Sequence, residues 1–196
     1  MENPLNRNWG KYYDDTRETP PSGLLVQAEQ LVKDKNRSLD VGGGALKDSK
    51  YMLGKGFDVT VIDKEPLILE EAKKVGSKKL HAIVTSFEDF NFPENTYDLI
   101  NAMNSLPFNS PETFNEIFAR IKRSLAIGGI FSGKLFGKND EWSKKSRMTF
   151  HTIEEVRQLI SDLQIILLEE KEYDGKIADG SPKHWHTISF IAKRNN

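Results

Sequence analysis

The chain has 196 residues, no cysteine, and 28 basic against 29 acidic side chains, which gives a formal net charge of -1. The absence of cysteine excludes disulfides, thiolate nucleophiles and cysteine-ligated metals, and the balanced charge does not predict a nucleic-acid partner. A length of 196 residues with 37% hydrophobic content fits one globular domain over residues 1–196. The N-terminal residues lack the apolar core of a signal peptide, and no apolar run approaches the roughly 18 residues of a membrane span. We therefore expect a cytoplasmic protein with no membrane partner.

Helical and strand-like patterns alternate along the chain. The patterns predict helices over residues 23–34, 45–54, 66–75 and 110–125, and from 153 to about 163. They predict strands over residues 38–41, 58–63, 81–84, 97–103, 129–135, 164–170 and 187–192. This alternation indicates an α/β protein with a doubly wound, mostly parallel sheet of seven strands.

Local motifs mark the ends of two of these elements. Thr152 and Glu155 have the spacing of a capping box, which predicts a helix start. Turn signals at 174–175 and 179–182 predict a hairpin between the last two strands, and hence an antiparallel strand at the C-terminus.

A glycine-rich loop follows the first predicted strand, where Asp40 is followed by Val41 and then by Gly42, Gly43 and Gly44. Glycine allows positive φ and lets the backbone approach a ligand closely, while the following helix start offers free N–H groups. Such a loop is typical of a nucleotide-cofactor site, although it can also be a simple strand-to-helix turn. Asp40 could hold an ammonium group or could order the loop by hydrogen bonding.

A second acid, Asp63, ends the second predicted strand 21 positions after Gly42 (63 minus 42). There a carboxylate can accept both hydroxyls of a ribose, or it can be a solvated strand-end acid or a helix cap. A dinucleotide loop would need a third glycine where Lys47 stands. The spacing therefore favours a cofactor without phosphate.

In their order and spacing, these motifs resemble those of class I S-adenosylmethionine-dependent methyltransferases, and more narrowly the small tellurite-resistance-type methyltransferases. The resemblance covers nearly the whole chain. It rests on Leu39-Asp40-Val41-Gly42-Gly43-Gly44, Val61-Ile62-Asp63, Ser86-Phe87-Glu88-Asp89-Phe90, Tyr97-Asp98-Leu99-Ile100 and Ile127-Gly128-Gly129-Ile130-Phe131. It implies a Rossmann-like methyltransferase fold, S-adenosylmethionine as cofactor, and in-line methyl transfer to a small-molecule acceptor.

The resemblance also implies a set of cofactor-binding residues. Glycines would lie under the methionine moiety, acids would hold its amino group and the ribose, and the residues after the third strand would border the adenine. Backbone at the end of the fourth strand would face the methionine portion, and an arginine of an N-terminal cap segment, residues 1–22, would pair with the carboxylate. These residues are Arg17, Asp40, Gly42, Gly44, Asp63, Ser86, Phe87, Glu88, Asn101 and Ala102.

The catalytic residues stay unknown at this stage. Candidates on the substrate side are His151, His184, His186, Asn104 and Tyr12. Strand alternation places His184 and His186 on one face, where they could pack, serve the acceptor or act as a base. No metal site is predicted, because only two of the usual three or four ligands are visible.

Two alternative functions stay open. Many family members carry glycine and aspartate where this chain has Leu46 and Ser86, so a cofactor-binding module without efficient turnover is one alternative. A nicotinamide-dependent oxidoreductase is less favoured because of Lys47. The sequence does not predict the acceptor or the oligomeric state.

Overall fold

The structure is a computed structural model that describes residues 8–144 and 147–195. Its helices are α1 (Trp9–Thr16), α2 (Gly23–Glu29), α3 (Lys47–Gly54), α4 (Leu67–Val75), α5 (Pro111–Ser124) and α6 (Ile153–Leu159). Its strands are β1 (Arg37–Val41), β2 (Asp58–Asp63), β3 (Leu80–Val84), β4 (Tyr97–Met103), β5 (Leu125–Phe136), β6 (Gln164–Lys176) and β7 (Pro182–Lys193). Within these described residues, no helix is long and apolar enough to cross a membrane. Residues 1–7 of the predicted cap segment lie outside the described part.

The seven strands form one sheet in the order β3-β2-β1-β4-β5-β7-β6. Strands β1 to β5 pair in parallel, whereas β7 is antiparallel to both of its neighbours. The predicted α/β class, the seven strands and the antiparallel C-terminal strand are confirmed. The order of the strands reverses between β1 and β4, and in such sheets ligands bind outside the strand carboxyl ends at this point.

Alternating side chains of the central strands bury both faces of the sheet. Ile100 and Phe131 pack with α5 on one face, while Leu99 and Ile130 pack with α2 on the other. All four side chains are fully buried. The strand ends that carry the site are therefore fixed from both sides.

Two helices are shorter than predicted, although the capping box of Thr152 is confirmed. Helix α2 ends at Glu29 and α6 ends at Leu159. Just beyond these ends, the N–H groups of Leu31 and Leu163 donate to carbonyl oxygens three residues back, over 3.1 Å and 3.0 Å. Bonds of this type tighten the last turn and stop the α-helix.

The β6–β7 hairpin is longer than predicted. The predicted turn at 174–175 is wrong, because Gly175 pairs with Lys183 inside the ladder. The chain turns instead at 177–181, where Gly180 has φ of 88°. Since the β5–β7 pairing ends at Thr187, the tip of the hairpin projects past the parallel strands on the side of their carboxyl ends.

Candidate active site

A cavity of about 220 Å³ lies at the carboxyl ends of the parallel strands. Its lining includes residues at or just beyond the ends of five neighbouring strands: Gly42, Asp63, Ser86, Asn104 and Phe136. Helix α1 covers one side and the hairpin tip covers another, through Lys176, Ile177 and Ala178. The fold thus gathers the predicted glycine loop, the acid after it and the loop after β3 around one space.

The glycine loop presents its backbone to this cavity. Gly42 has φ of 75° and donates its N–H to the carbonyl oxygen of Ile62 over 2.8 Å. A Cβ placed on Gly42 would lie only 2.4 Å from the Cβ of Ser105. Both the conformation and the space therefore require glycine at this position.

Leu46 adopts a backbone conformation that favours glycine. Its φ is 64° and its ψ is 18°, in the left-handed region, which delays the start of α3 to Lys47. Its side chain is fully buried against Val61 and Ile68. A residue other than glycine thus holds this left-handed position, with its apolar side chain packed beneath the loop.

Asp63 is fixed at the cavity wall by two backbone donors. The N–H of Gly44 donates to Oδ2 over 2.9 Å, and the N–H of Glu65 donates to Oδ1 over 3.0 Å. Burial raises the pKa of this carboxyl, and the hydrogen bonds from Glu65 and Gly44 oppose that rise. Asp63 does not cap α4, whose N-cap residue is Pro66. Each carboxylate oxygen keeps a further lone pair for a ligand hydroxyl.

The loop after β3 forms the next part of the wall with Ser86, Phe87 and Glu88. The Ser86 hydroxyl donates to the Asp89 carboxylate over 2.7 Å and accepts the Asp89 N–H over 3.1 Å. Ser86 therefore closes a local turn. We call Gly42, Gly44, Asp63, Ser86 and Phe87 the donor compartment.

A second, polar cavity of about 270 Å³ adjoins the first. Its acids, Asp40 and Asp48, share one donor, because Nδ2 of Asn101 lies 3.0 Å from Asp40 and 3.2 Å from Asp48. The Ser49 hydroxyl also donates to Asp40, over 2.6 Å. Burial, and then the charge of Asp48, raise the pKa of Asp40. Asp40 thus orders the loop and also contributes negative charge to this cavity.

The positive side of the same cavity consists of Lys47 and Lys134. The side chain of Lys134 is half-buried, and its ammonium group forms no hydrogen bond or ion pair with any residue that the structure describes. Burial, and then the charges of Lys171 and Lys47, lower its pKa. We call Asp40, Asp48, Lys47 and Lys134 the polar compartment. The two cavities meet at Tyr12, Gly42, Met103 and Asn104, which line both.

Three of the predicted cofactor residues do not line either cavity. Asn101 and Ala102 are fully buried within β4, and the residues that follow them line the cavities instead. Arg17 directs its guanidinium to the Glu71 carboxylate of α4, with two contacts of 2.8 Å. This bidentate pair ties the end of α1 to α4 and uses the group that was expected to hold a cofactor carboxylate.

None of the histidines at 81, 151, 184 or 186 lines either cavity. His151 is buried against the ring of Phe114, with centroids 4.6 Å apart, and burial lowers its pKa to about 4. His184 is exposed and bonded to Asp174 and Glu172, which raise its pKa.

His186 is buried on the far side of β7 from the cavity. Its Nδ1 accepts the N–H of Asn139 over 3.0 Å, so the opposite nitrogen, Nε2, carries the hydrogen that faces Glu170 at 2.8 Å. Among the described residues, no group of three or more histidine and carboxylate side chains is placed to hold a metal. The structure therefore gives these imidazoles packing and hydrogen-bonding contacts rather than contact with the cavity.

The far end of the first cavity is a wall of aromatic rings. Only Trp9, which belongs to the predicted cap segment 1–22, lies in a region that the sequence analysis assigned to the site. We call Trp9, Phe108, Phe136, Trp142 and Trp185 the aromatic compartment. Neighbouring ring centroids lie 5.7 Å to 6.4 Å apart. These residues come from distant parts of the chain, so no local motif joins them.

Residues 39–129 match the protein-family profile described as a methyltransferase domain. No curated protein matches the chain in sequence. The match covers just under half of the chain, and the α/β fold agrees with the Rossmann-like methyltransferase fold that the sequence analysis expects. Together they support the predicted class of S-adenosylmethionine-dependent methyltransferases.

The fold is similar to that of TehB from Haemophilus influenzae, with a TM-score of 0.78 and 16% identity over 94% of this chain and 66% of that chain. The fold is also similar to 1,6-didemethyltoxoflavin-N1-methyltransferase from Burkholderia thailandensis, solved with 1,6-didemethyltoxoflavin and S-adenosylhomocysteine (TM-score 0.69, 16% identity, 96% of this chain, 86% of that chain). A third similar structure is the N-methyltransferase NodS from Bradyrhizobium japonicum in complex with S-adenosylhomocysteine (TM-score 0.67, 15% identity, 97% of this chain, 100% of that chain). The chain thus spans just under two thirds of TehB.

Proposed function

We propose that this enzyme transfers the methyl group of S-adenosylmethionine to a small-molecule acceptor held in the same cavity. The observation that carries the proposal is the Asp63 carboxylate, fixed by Gly44 and Glu65 beside a glycine loop that has no room for a Cβ at Gly42. These residues fit the cofactor. The ribose hydroxyls need a fixed hydrogen-bond acceptor, and the adenosine needs backbone that it can approach without a side chain in the way.

The donor compartment would hold the adenosine. Asp63 would accept the ribose hydroxyls, and Ser86 and Phe87 would border the adenine, with the Phe87 backbone or Glu88 facing its exocyclic amine. The buried hydroxyl of Tyr13 supports this assignment, because it lines the cavity and has no hydrogen-bond partner. A ligand bound in the cavity would satisfy this donor.

The polar compartment would hold the amino-acid end. Its acids, Asp40 and Asp48, complement an ammonium group, while Lys134 complements a carboxylate. Lys134 takes the role expected of Arg17, which is engaged by Glu71. A site with acids on one side and a lysine on the other matches the zwitterion of an amino acid.

When bound, S-adenosylmethionine supplies a methyl group on sulfur, and the acceptor's lone pair forms the new bond as the carbon–sulfur bond breaks, leaving its electron pair on sulfur. The chain's own residues align and enclose the acceptor. Tyr12 and Asn104 lie where the two cavities meet, and α1 and the hairpin tip, which line the first cavity, would exclude water from the acceptor. Alignment and exclusion of water are what an in-line displacement needs from the protein.

The size of the site supports a small acceptor. The cavity of about 220 Å³ is smaller than the roughly 300–1,000 Å³ that ligand pockets typically span. Helix α1 and the hairpin tip roof it, whereas a macromolecular chain needs an open groove. A cytoplasmic location stays a prediction.

Calorimetry with S-adenosylmethionine, S-adenosylhomocysteine and the oxidised nicotinamide dinucleotide tests the proposal. We expect the first two to bind and the third not to bind. Asp63→Ala should weaken S-adenosylhomocysteine about ten- to a hundredfold, since it removes charge-assisted hydrogen bonds. Asp58→Ala is the matched control, because Asp58 begins the same strand and pairs with exposed His81. Failure of both sulfur compounds to bind, or equal effects of the two variants, would overturn it.

The Lys134 assignment has its own test. Lys134→Gln should weaken S-adenosylhomocysteine about tenfold but leave 5′-methylthioadenosine, which lacks the amino-acid end, within about twofold. Arg17→Gln should leave both affinities within about twofold in folded protein. Equal weakening of both ligands by Lys134→Gln, or a selective loss in Arg17→Gln, would contradict the assignment.

A further inference from the structure

The aromatic compartment presents ring faces and edges to the cavity from several directions. Phe108 lies at the centre of the connected rings, with centroids 5.7 Å from Trp9, 6.1 Å from Trp142 and 6.4 Å from Phe136. Trp185 closes the wall 5.7 Å from Trp142. Aromatic rings gain most from other rings, in offset or edge-to-face contact, so this wall favours a flat π system over a saturated skeleton.

The ammonium group of a lysine already lies over two of these rings, where a cationic ligand would bind. Nζ of Lys183 lies 3.7 Å from the centroid of Trp185 and 4.4 Å from that of Trp142. It is 3% exposed and forms an ion pair of 2.5 Å with Asp140. A second cation against the same rings would meet the repulsion of this ammonium, whose own counter-charge, Asp140, is already engaged.

An unsatisfied donor stands next to Phe108. The side-chain nitrogen of Asn109 is buried without a hydrogen-bond partner, and the residue lines the cavity. The backbone of Asn109 is held firmly, because its N–H donates to Leu106 over 3.1 Å and its carbonyl oxygen accepts the Thr149 hydroxyl over 2.8 Å. An oxygen on the acceptor would satisfy this amide, which otherwise costs free energy.

From these features we infer that the aromatic compartment binds a planar aromatic acceptor that carries an oxygen hydrogen-bond acceptor and no positive charge. The inference rests on the proposed function and names its substrate class. None of the four described histidines lines the cavity, so no imidazole is placed to take a proton from the acceptor atom. An acceptor atom that already carries a free lone pair needs no such base. Carboxylates, ionised phenols and unprotonated ring nitrogens meet that requirement.

Three probes of similar skeleton separate the possibilities: 2-naphthoate, its saturated analogue decahydro-2-naphthoate, and 2-naphthylmethylammonium. Their affinities are measured by calorimetry on the full chain saturated with S-adenosylhomocysteine. We expect 2-naphthoate to bind at least about tenfold more tightly than the other two. Equal binding of the saturated anion, or tighter binding of the cation, would overturn the inference.

Two phenylalanines provide a matched pair of variants. Phe108 lines the cavity, whereas Phe150 does not, yet both are half-buried on the same core cluster with centroids 6.4 Å from Phe136. Phe108→Leu should weaken 2-naphthoate about tenfold, and Phe150→Leu should leave it within about twofold. Equal losses in both variants would contradict the placement of the acceptor.

The affinity for S-adenosylhomocysteine separates the two levels of the proposal. We expect it to be unchanged in both variants, which also shows that they fold. If wild-type protein does not bind S-adenosylhomocysteine, the proposed function fails and this inference fails with it. If it binds but the three probes bind alike, only the inference fails.

Discussion

The donor and aromatic compartments share one cavity but are built in opposite ways. The donor compartment consists largely of backbone and short side chains at the ends of β1, β2 and β3. The aromatic compartment consists of large rings carried by α1, β5, β7 and the segments that follow β4 and β5. The donor compartment should therefore be sensitive to changes in backbone conformation, whereas the aromatic compartment should be sensitive to changes in ring shape.

The largest effect is expected at the glycine loop. Gly42→Ala should weaken S-adenosylhomocysteine at least about a hundredfold by calorimetry, because the new Cβ meets Ser105 and φ of 75° is strained for alanine. Gly54→Ala is the control, since its Cβ would enter open space at the end of α3. Unchanged binding in Gly42→Ala would contradict the expectation that the donor compartment is sensitive to changes in backbone conformation.

A smaller effect is expected behind the aromatic compartment, at His151. Burial lowers the pKa of His151 to about 4 from an ordinary 6.5. Between these two pH values, the unfolded chain therefore binds a proton at this residue, whereas the native protein does not. The contribution of His151 to the free energy of unfolding should therefore fall by about 2 kcal/mol as pH drops from about 7.5 to about 5.

Denaturant unfolding of wild type and His151→Gln at both pH values measures this term. The raised pKa of Asp40 acts in the opposite direction over the same range, but it is common to both proteins. From about pH 7.5 to about pH 5, the change in the free energy of unfolding should therefore be about 2 kcal/mol less favourable in the wild type than in the variant. An identical pH dependence in the two proteins would show that His151 titrates normally.

The smallest effect concerns Leu46. Both Leu46→Ala and Leu46→Gly remove a fully buried side chain, yet only glycine is relaxed at φ of 64°. Leu46→Gly should therefore be more stable than Leu46→Ala by about 1 kcal/mol, the reverse of the usual order. Thermal or denaturant unfolding measures the difference, and a less stable glycine variant would show that the loop is not strained there.

The donor compartment was predictable because its parts follow strands in sequence. Gly42, Gly44 and Asp63 each stand at a strand end, and parallel strands bring such ends to one edge. The same logic failed for Asn101 and Ala102. Nothing in the sequence of the fourth predicted strand marks the residue at which its side chains stop being buried and begin to line the cavity. Strand pairing, which brings β5 beside β4, is also what places Lys134 in the polar compartment.

The aromatic compartment was not predictable from the sequence. Alternation along a strand assigns its side chains to two faces but does not identify the face that lines the cavity. His184 and His186 do share a face, but it is Trp185 on the other face that lines the cavity. Arg17 shows the same limit for a helix. Its partner Glu71 is 54 residues away in the chain, and only the packed position of α1 brings them together.

A crystal structure with S-adenosylhomocysteine bound tests the central claim most directly. We predict the ribose hydroxyls on Asp63, the adenine beside Phe87 and the amino-acid end between Asp48 and Lys134, with the sulfur facing an open aromatic compartment. Adenine seated among Phe108, Trp142 and Trp185 instead would contradict the account.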